Sequence, residues 1–88
     1  MNEIVIYTKD WCGYCRAAKQ LLEQLGQAYQ EIDVTSDQAG YEEMLGKSDG
    51  RTSVPQIFFN GRGIGGYTDL ARLVRENKFP PQDRKSGG

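Results

Sequence analysis

Ile4-Val5-Ile6-Tyr7, a short run rich in β-branched residues, is followed closely by a helical pattern and then by a second strand-like run. That succession constrains the fold more than any other feature of the chain. An apolar run without alternation reads as a central strand buried on both faces. Tyr14, Ala17, Ala18, Leu21, Leu22 and Leu25 fall on one face of an α-helix. Gly26 follows, where a helix C-terminus favours a residue that tolerates positive φ. Tyr29 to Val34 then reads as another strand. Strand, helix and strand make a βαβ unit, so the two strands are expected to lie parallel with a right-handed crossover.

The rest of the chain changes character. Ser36 and Asp37 can cap a weaker helix carrying Tyr41, Met44 and Leu45. Gly46 to Ser53 reads as loop, and Gln56-Ile57-Phe58-Phe59 as a strand. Asn60-Gly61 is a strong type I′ hairpin signal, so Arg62 to Gly65 should return antiparallel to it. A last helix carries Leu70, Leu73 and Val74 on one face. The expected order is β-α-β-α-β-β-α, an α/β chain without internal repeat or linker. Residues 1–79 are expected to form one domain, and the polar, aperiodic residues 80–88 a flexible C-terminal tail.

A chain of 88 residues hides only about 60–65% of its unfolded surface, so one modest core is expected. Lys+Arg 11 against Asp+Glu 12 gives a net charge of −1 with no basic block, which disfavours a nucleic-acid partner. No apolar stretch approaches the roughly 18 residues a membrane span requires. No basic n-region with an apolar h-region opens the chain, so a cytoplasmic protein is expected. In that reducing compartment a static disulfide is disfavoured, and a cysteine pair more often signals redox chemistry or metal.

Cys12 and Cys15 are the only cysteines, three residues apart at the hand-over from first strand to first helix. A haem tether needs Cys-x-x-Cys-His, but Arg16 takes the fifth place and the chain has no histidine. Two thiols cannot complete an intrachain zinc site, which leaves metal only between chains or with an outside ligand. Side chains three apart on a helix have Cβ atoms roughly 5–6 Å apart, close enough to open and close a disulfide by local adjustment. As the cap residue, Cys12 can accept bonds from free N–H groups of the first turn, including that of Cys15. These bonds and the positive end of the helix dipole favour its thiolate. A stabilised thiolate gains little as an attacker, because nucleophilicity falls alongside, but gains as a leaving group. Lys9 either adds positive charge nearby or is simply a solvated lysine. Cys15, one turn into the helix, fits a less exposed resolving thiol.

Three stretches carry a family resemblance. They are Tyr7-Thr8-Lys9-Asp10-Trp11-Cys12-Gly13-Tyr14-Cys15, Thr52-Ser53-Val54-Pro55-Gln56-Ile57-Phe58, and Asn60-Gly61 with Gly65-Gly66-Tyr67-Thr68-Asp69-Leu70. Together, over about residues 3–77, they closely resemble a glutaredoxin of the small, bacterial, dithiol type. The resemblance implies a thioredoxin-like fold, a four-stranded mixed sheet flanked by helices, with Pro55 cis and beside the dithiol. Without it, Pro55 reads as a strand-opening proline and Gly65-Gly66 as an ordinary loop and helix entry.

The resemblance also implies that glutathione, as co-substrate, lies across Cys12. The N–H groups of Tyr67 and Thr68, with the Thr68 hydroxyl, would hold the γ-glutamyl carboxylate, and Gly66 would permit close backbone approach. Val54 would pair with the cysteinyl unit, Lys9 and Arg51 would meet the glycyl carboxylate, and Tyr14 would wall the groove. The implied activity is glutathione-dependent reduction of protein–glutathione mixed disulfides and protein disulfides, with Cys12 as nucleophile and Cys15 as resolving thiol. The implied partners are glutathione and glutathionylated or disulfide-containing proteins.

Three residues depart from the family pattern. Gly13 stands in place of the usual proline, which loosens the helix entry. In the family, small residues there accompany a [2Fe-2S] cluster bridging two subunits with glutathione as co-ligand. Cys12 would be the chain's ligand in that alternative, and a dimer is expected only then; otherwise a monomer is. Thr68 replaces a frequent aspartate, and Ser53 the threonine of the Thr-Val-Pro signature. Trp11-Cys12-Gly13 also matches thioredoxin, but Tyr14 stands where thioredoxin has proline, and the Gly-Gly-Tyr-Thr-Asp stretch argues against a glutathione-independent redoxin.

Overall fold

The computed structural model describes residues 2–81, so residues 82–88, most of the expected tail, lie outside the described residues. Seven elements follow in the expected order: β1 (Ile4–Thr8), α1 (Gly13–Gln24), β2 (Gln30–Asp33), α2 (Gln38–Lys47), β3 (Gln56–Phe59), β4 (Arg62–Gly65) and α3 (Tyr67–Arg75). The strands form one sheet in the order β2-β1-β3-β4. β1 runs parallel to β2 and antiparallel to β3, and β3 runs antiparallel to β4. The fold is thioredoxin-like: a mixed four-stranded sheet with helices on both faces.

The placement of β1 follows from its composition. It carries no charge to present to water, and it fills the centre of the sheet with partners on either side. Alternation then divides its side chains. Ile4 and Ile6, with Ile57 and Phe59 opposite them, pack against Ala18 and Leu22 of α1 and Leu70 of α3. Tyr7 and Phe58 point to the other face, where Met44 of α2 and Val34 close over them. Phe58 meets the Tyr7 ring edge-on at 5.7 Å between centroids. β2, by contrast, pairs only over Gln30–Asp33 and is mostly exposed, a charged edge strand of the kind that resists further pairing. It is tied inward through Glu31, which accepts from the buried Thr8 hydroxyl at 2.7 Å and from Lys19 at 2.9 Å. The Thr8 bond, then Lys19, hold the Glu31 carboxyl below the ordinary carboxylate range.

Local signals set the ends of the elements. Gly26 takes φ 71° after α1, and Asp37 caps α2 by accepting the Gly40 N–H at 2.9 Å. Asn60 and Gly61 both take positive φ, 51° and 84°, as the type I′ turn requires. One boundary needs correction: Gly46 and Lys47 belong to α2, and the loop begins at Ser48. Ser48 N–H closes the last turn on the Met44 carbonyl at 3.0 Å, while Lys47 reaches over the Tyr7 and Phe58 rings, 5.8 Å from each centroid. Packing there outweighs the low helix propensity of Gly46. Near the end of the described chain, Phe79 packs against Phe59, and the Phe79–Pro80 bond is cis.

β4 carries a bulge. Phe58 faces Gly63 while Ile57 faces Gly65, so Ile64 is an extra residue that bends the strand toward α3. Gly65 leaves the bulge at φ 115°, where a side chain would be strained and its Cβ would collide with the Asp69 carboxylate. This bend brings the start of α3 alongside Pro55.

Ile57 is fully buried where the first face is densest. Ile57→Ala should cost about 2–5 kcal/mol in urea unfolding. A loss below 1 kcal/mol would show that this face is not the packed core.

Candidate active site

The chain leaves β1 at Thr8 and crosses a short turn before entering α1. That turn is pinned by the Asp10 N–H, which donates to Thr35 Oγ1 at 2.8 Å; the Thr35 N–H in turn donates to Asp33 Oδ1 at 2.8 Å. Cys12 is the N-cap of α1, extended at φ −105° and ψ 113°, and its Sγ accepts the Cys15 N–H at 3.2 Å. Its carbonyl accepts the Arg16 N–H at 3.1 Å, the first α-helical bond. No acidic residue lies in the first turn of α1 to offset the positive helix end. The sulfur thus sits at the positive end of α1, against the N–H dipoles of its first turn.

Cys15 occupies a different environment on the same turn. It is 2% exposed, whereas Cys12 is half-buried. Burial pushes the Cys15 thiol up to about 12; hydrogen bonding and charge at Cys12 add to the rise, and a Lys9 backbone bond and the Lys19 charge oppose it. The two thiols are therefore inequivalent.

Cys12 Sγ lies 3.7 Å from the Val54 carbonyl, which its thiol can donate to. The Val54–Pro55 bond is cis. These two residues form one wall of a groove of about 190 Å³, whose other sides come from Tyr14 of α1, Ser53, and the Gly66–Thr68 entry of α3. Tyr14 stacks on Tyr67 with centroids 6.0 Å apart and planes 25° from parallel. Gly66 comes close behind Pro55: a Cβ there would lie 3.4 Å from the Pro55 carbonyl. The Gly66 N–H donates to Asp69 Oδ2 at 2.9 Å, and Leu70 N–H makes the first intrahelical bond of α3. The N–H groups of Tyr67 and Thr68 precede that bond and carry no intrahelical partner, as first-turn donors do.

Of the residues expected to hold a ligand, the groove gathers Tyr14, Val54, Pro55, Gly66, Tyr67 and Thr68. Lys9 and Arg51 line neighbouring cavities instead. Lys9 stands over the Tyr41 ring, 5.5 Å from its centroid, beside a cavity of about 290 Å³ at the start of α2. Arg51 borders a cavity of about 470 Å³ between the end of α2 and β4. Sequence reasoning missed the part of Ser53 and Gln56. Gln56 is 3% exposed, and its Nε2 donates to the Ser53 carbonyl at 2.9 Å and to Ser53 Oγ at 3.2 Å, fixing the groove wall from behind. A polar residue opening an otherwise apolar strand was the available signal.

A capping thiol with a buried second thiol one turn later, at the hand-over from the central strand β1 to α1 of this mixed sheet, places the chain among the thioredoxin-like proteins. Known proteins narrow the class. The glutaredoxin family profile matches residues 4–64. Glutaredoxin 3 of Escherichia coli (strain K12) is 47% identical over 81 residues, covering 92% of this chain and 96% of that protein. Among solved structures, the buckwheat glutaredoxin–glutathione complex has a TM-score of 0.79 at 32% identity, over 91% of this chain and 74% of that one. The solution structure of glutaredoxin from Brucella melitensis gives 0.73 at 38% identity, over 86% and 82%. The chain belongs to the glutaredoxin family, and is by that membership a thiol–disulfide oxidoreductase. Among the described residues, no helix is long and apolar enough to cross a membrane, and no group of three or more His, Cys, Asp or Glu is placed to hold a metal ion.

The Cys15 environment gives stability a definite pH dependence. Folded Cys15 ionises at about 12, against 9.0 for an ordinary thiol, so above pH 9 the folded chain keeps a proton that the unfolded chain has released. Its contribution is fully present below pH 9 and is lost as pH rises toward 12. Tyr29, raised to about 12 by its hydrogen bond to Glu23, adds a similar loss. Cys15→Ala removes the Cys15 part and leaves the others, so its urea midpoint should decline less steeply above pH 9 than that of the unaltered protein; equal slopes would contradict the assignment.

Proposed function

We propose that this protein reduces protein–glutathione mixed disulfides and protein disulfides with glutathione as reductant. The observation that carries the reading is the position of Cys12 Sγ, 3.2 Å from the Cys15 N–H and 3.7 Å from the carbonyl of Val54, a residue that lines the groove. In the first step the Cys12 thiolate attacks the glutathione sulfur of a mixed disulfide. A Cys12–glutathione disulfide forms, and the protein sulfur leaves as thiolate and takes a proton from water. A second glutathione thiolate then attacks the glutathione sulfur on Cys12, releasing oxidised glutathione and the Cys12 thiolate. Overall one glutathione thiol is oxidised to the disulfide level and one protein sulfur is reduced to a thiol, while the enzyme's own sulfur returns unchanged, so electrons balance.

The groove residues support this use. The Tyr67 and Thr68 N–H groups and the Thr68 hydroxyl suit the γ-glutamyl carboxylate. The Val54 main chain suits the cysteinyl amide, and the Tyr14 ring closes the outer side. Lys9 and Arg51, in the flanking cavities, are the cations available to the glycyl carboxylate. The buckwheat neighbour was solved with glutathione bound. The chemistry fits a compartment rich in reduced glutathione, such as the cytoplasm.

With a protein disulfide, Cys12 attacks first and Cys15 then attacks Cys12, forming the Cys12–Cys15 disulfide and releasing the reduced protein. Two of the influences that keep Cys15 protonated come from the Cys12 sulfur. Once Cys12 is held in a mixed disulfide its charge is gone and one upward influence with it, so the resolving thiol is more easily ionised when it is needed.

A glutathione-ligated [2Fe-2S] cluster is a second reading. Its support is the open space beside Gly13, where an added Cβ would meet nothing within 4 Å. One chain would supply Cys12, since Cys15 is buried; a second chain and two glutathiones would supply the rest. Anaerobic reconstitution tests it by visible absorbance and a shift to a dimer.

Cys15→Ser should keep reduction of glutathione mixed disulfides, coupled to glutathione and glutathione reductase, while losing most reduction of protein disulfides. Cys12→Ser should lose both. A Cys15→Ser variant inactive on mixed disulfides, or turnover supported by thioredoxin reductase and not by glutathione, would overturn the reading.

A further inference from the structure

We propose that Trp11 is the docking contact for the protein half of a glutathione mixed disulfide, and that it makes the enzyme favour modified cysteines flanked by apolar side chains. The inference rests on the glutathione-dependent reading above and adds a substrate preference to it.

Among the described residues, the large apolar side chains left exposed are Trp11 at 79% and Tyr14 at 64%, and they lie on either side of Cys12 in the chain. Tyr14 is accounted for: it stacks on Tyr67 and lines the groove. Trp11 is not. Its indole has no ring or hydrogen-bond partner among the described residues and lines none of the three cavities described above. At 79% exposure it adds little to the core, so burial within this chain does not explain it.

The backbone on both sides of this indole is nevertheless fixed. On one side the Asp10 N–H is bonded to Thr35 Oγ1 at 2.8 Å, and on the other the Cys12 sulfur and carbonyl are bonded into α1. Trp11 is therefore presented from an ordered turn, and binding to it does not first have to order the backbone.

Reaction geometry says what covers it. Disulfide exchange proceeds with the attacking, central and leaving sulfurs close to one line. With glutathione in the groove and its sulfur against Cys12, the leaving cysteine projects outward from the nucleophile. The residues next to that cysteine then cross the surface around Cys12, and Trp11 is covalently adjacent to it. Indole is a large, flat apolar surface with one N–H donor, the kind of side chain that anchors interfaces. Apolar flanks gain by covering it, whereas small polar flanks gain little. A small mixed disulfide has no flanks and does not reach it.

The test uses three substrates: two glutathionylated peptides that differ only in carrying Leu or Ser beside the modified cysteine, and the mixed disulfide of glutathione with 2-mercaptoethanol. For the unaltered protein, kcat/KM should be about tenfold higher for the Leu-flanked peptide, less than the roughly thirtyfold of a full interface hot spot, and expressed in KM. Trp11→Ala should bring the two peptides together without changing turnover of the small disulfide, and Trp11→Phe should retain most of the preference. The proposal is overturned by no preference in the unaltered protein, by a preference that survives in Trp11→Ala, or by an equal loss on all three substrates. Failure of the unaltered protein on the small disulfide would instead bring down the glutathione reading, and this inference with it.

Discussion

The hydrogen bond from the Cys15 N–H to Cys12 Sγ joins the fold to the chemistry. The first turn of any helix has N–H groups that its own backbone does not satisfy, and a capping side chain usually supplies oxygen to one of them. Here sulfur takes that place at 3.2 Å. The Cys12 sulfur is thus part of what starts α1, and α1 in turn supplies Ala18 and Leu22 to the core against Ile6 and Ile57. Moving the sulfur would disturb the helix entry, and moving the helix would disturb the packed face of the sheet. The position of Cys12 is over-determined by structure that lies mostly behind it.

The same turn makes two chemically identical side chains unequal. Cys12 is partly exposed at the cap, while Cys15 turns inward to 2% exposure. Burial in a poorly solvating interior disfavours a thiolate, and the nearby Cys12 sulfur disfavours it further. One thiol is therefore open to solvent and the other enclosed by the fold. The groove adds direction. The β4 bulge swings α3 toward the cis proline, so the free N–H groups of its first turn lie across a short groove from Val54. A ligand with a carboxylate at one end and a sulfur further along can meet both.

Much of this was legible from residue patterns. β1 announced itself by uninterrupted apolar character and α1 by its spacing, and the capping role of Cys12 followed from its place between them. Asn60-Gly61 specified its turn because both residues tolerate positive φ. Other features were illegible for physical reasons. The end of α2 depends on Lys47 packing over two aromatic rings from distant strands, which local propensity cannot register. Pro55 reads alone as the opening of a strand; its cis bond was expected only through the family resemblance. Lys9 and Arg51 were expected to meet the glycyl carboxylate, but which cavities they line depends on the turn and the loop that carry them, and these have no periodic signal. Gln56 gave one signal, a polar residue opening an apolar strand, but not its partner, because the bonds to Ser53 depend on the path of the loop before it.

One N–H···S contact caps α1, and under the proposed mechanism the same contact receives the charge of the attacking thiol. An NMR titration of the reduced, ¹⁵N-labelled protein reads that contact at the donor itself. The Cys15 amide resonance should move strongly as Cys12 gains and loses its proton, and this step should vanish in Cys12→Ser. A Cys15 amide that responds identically with and without the Cys12 sulfur would contradict it.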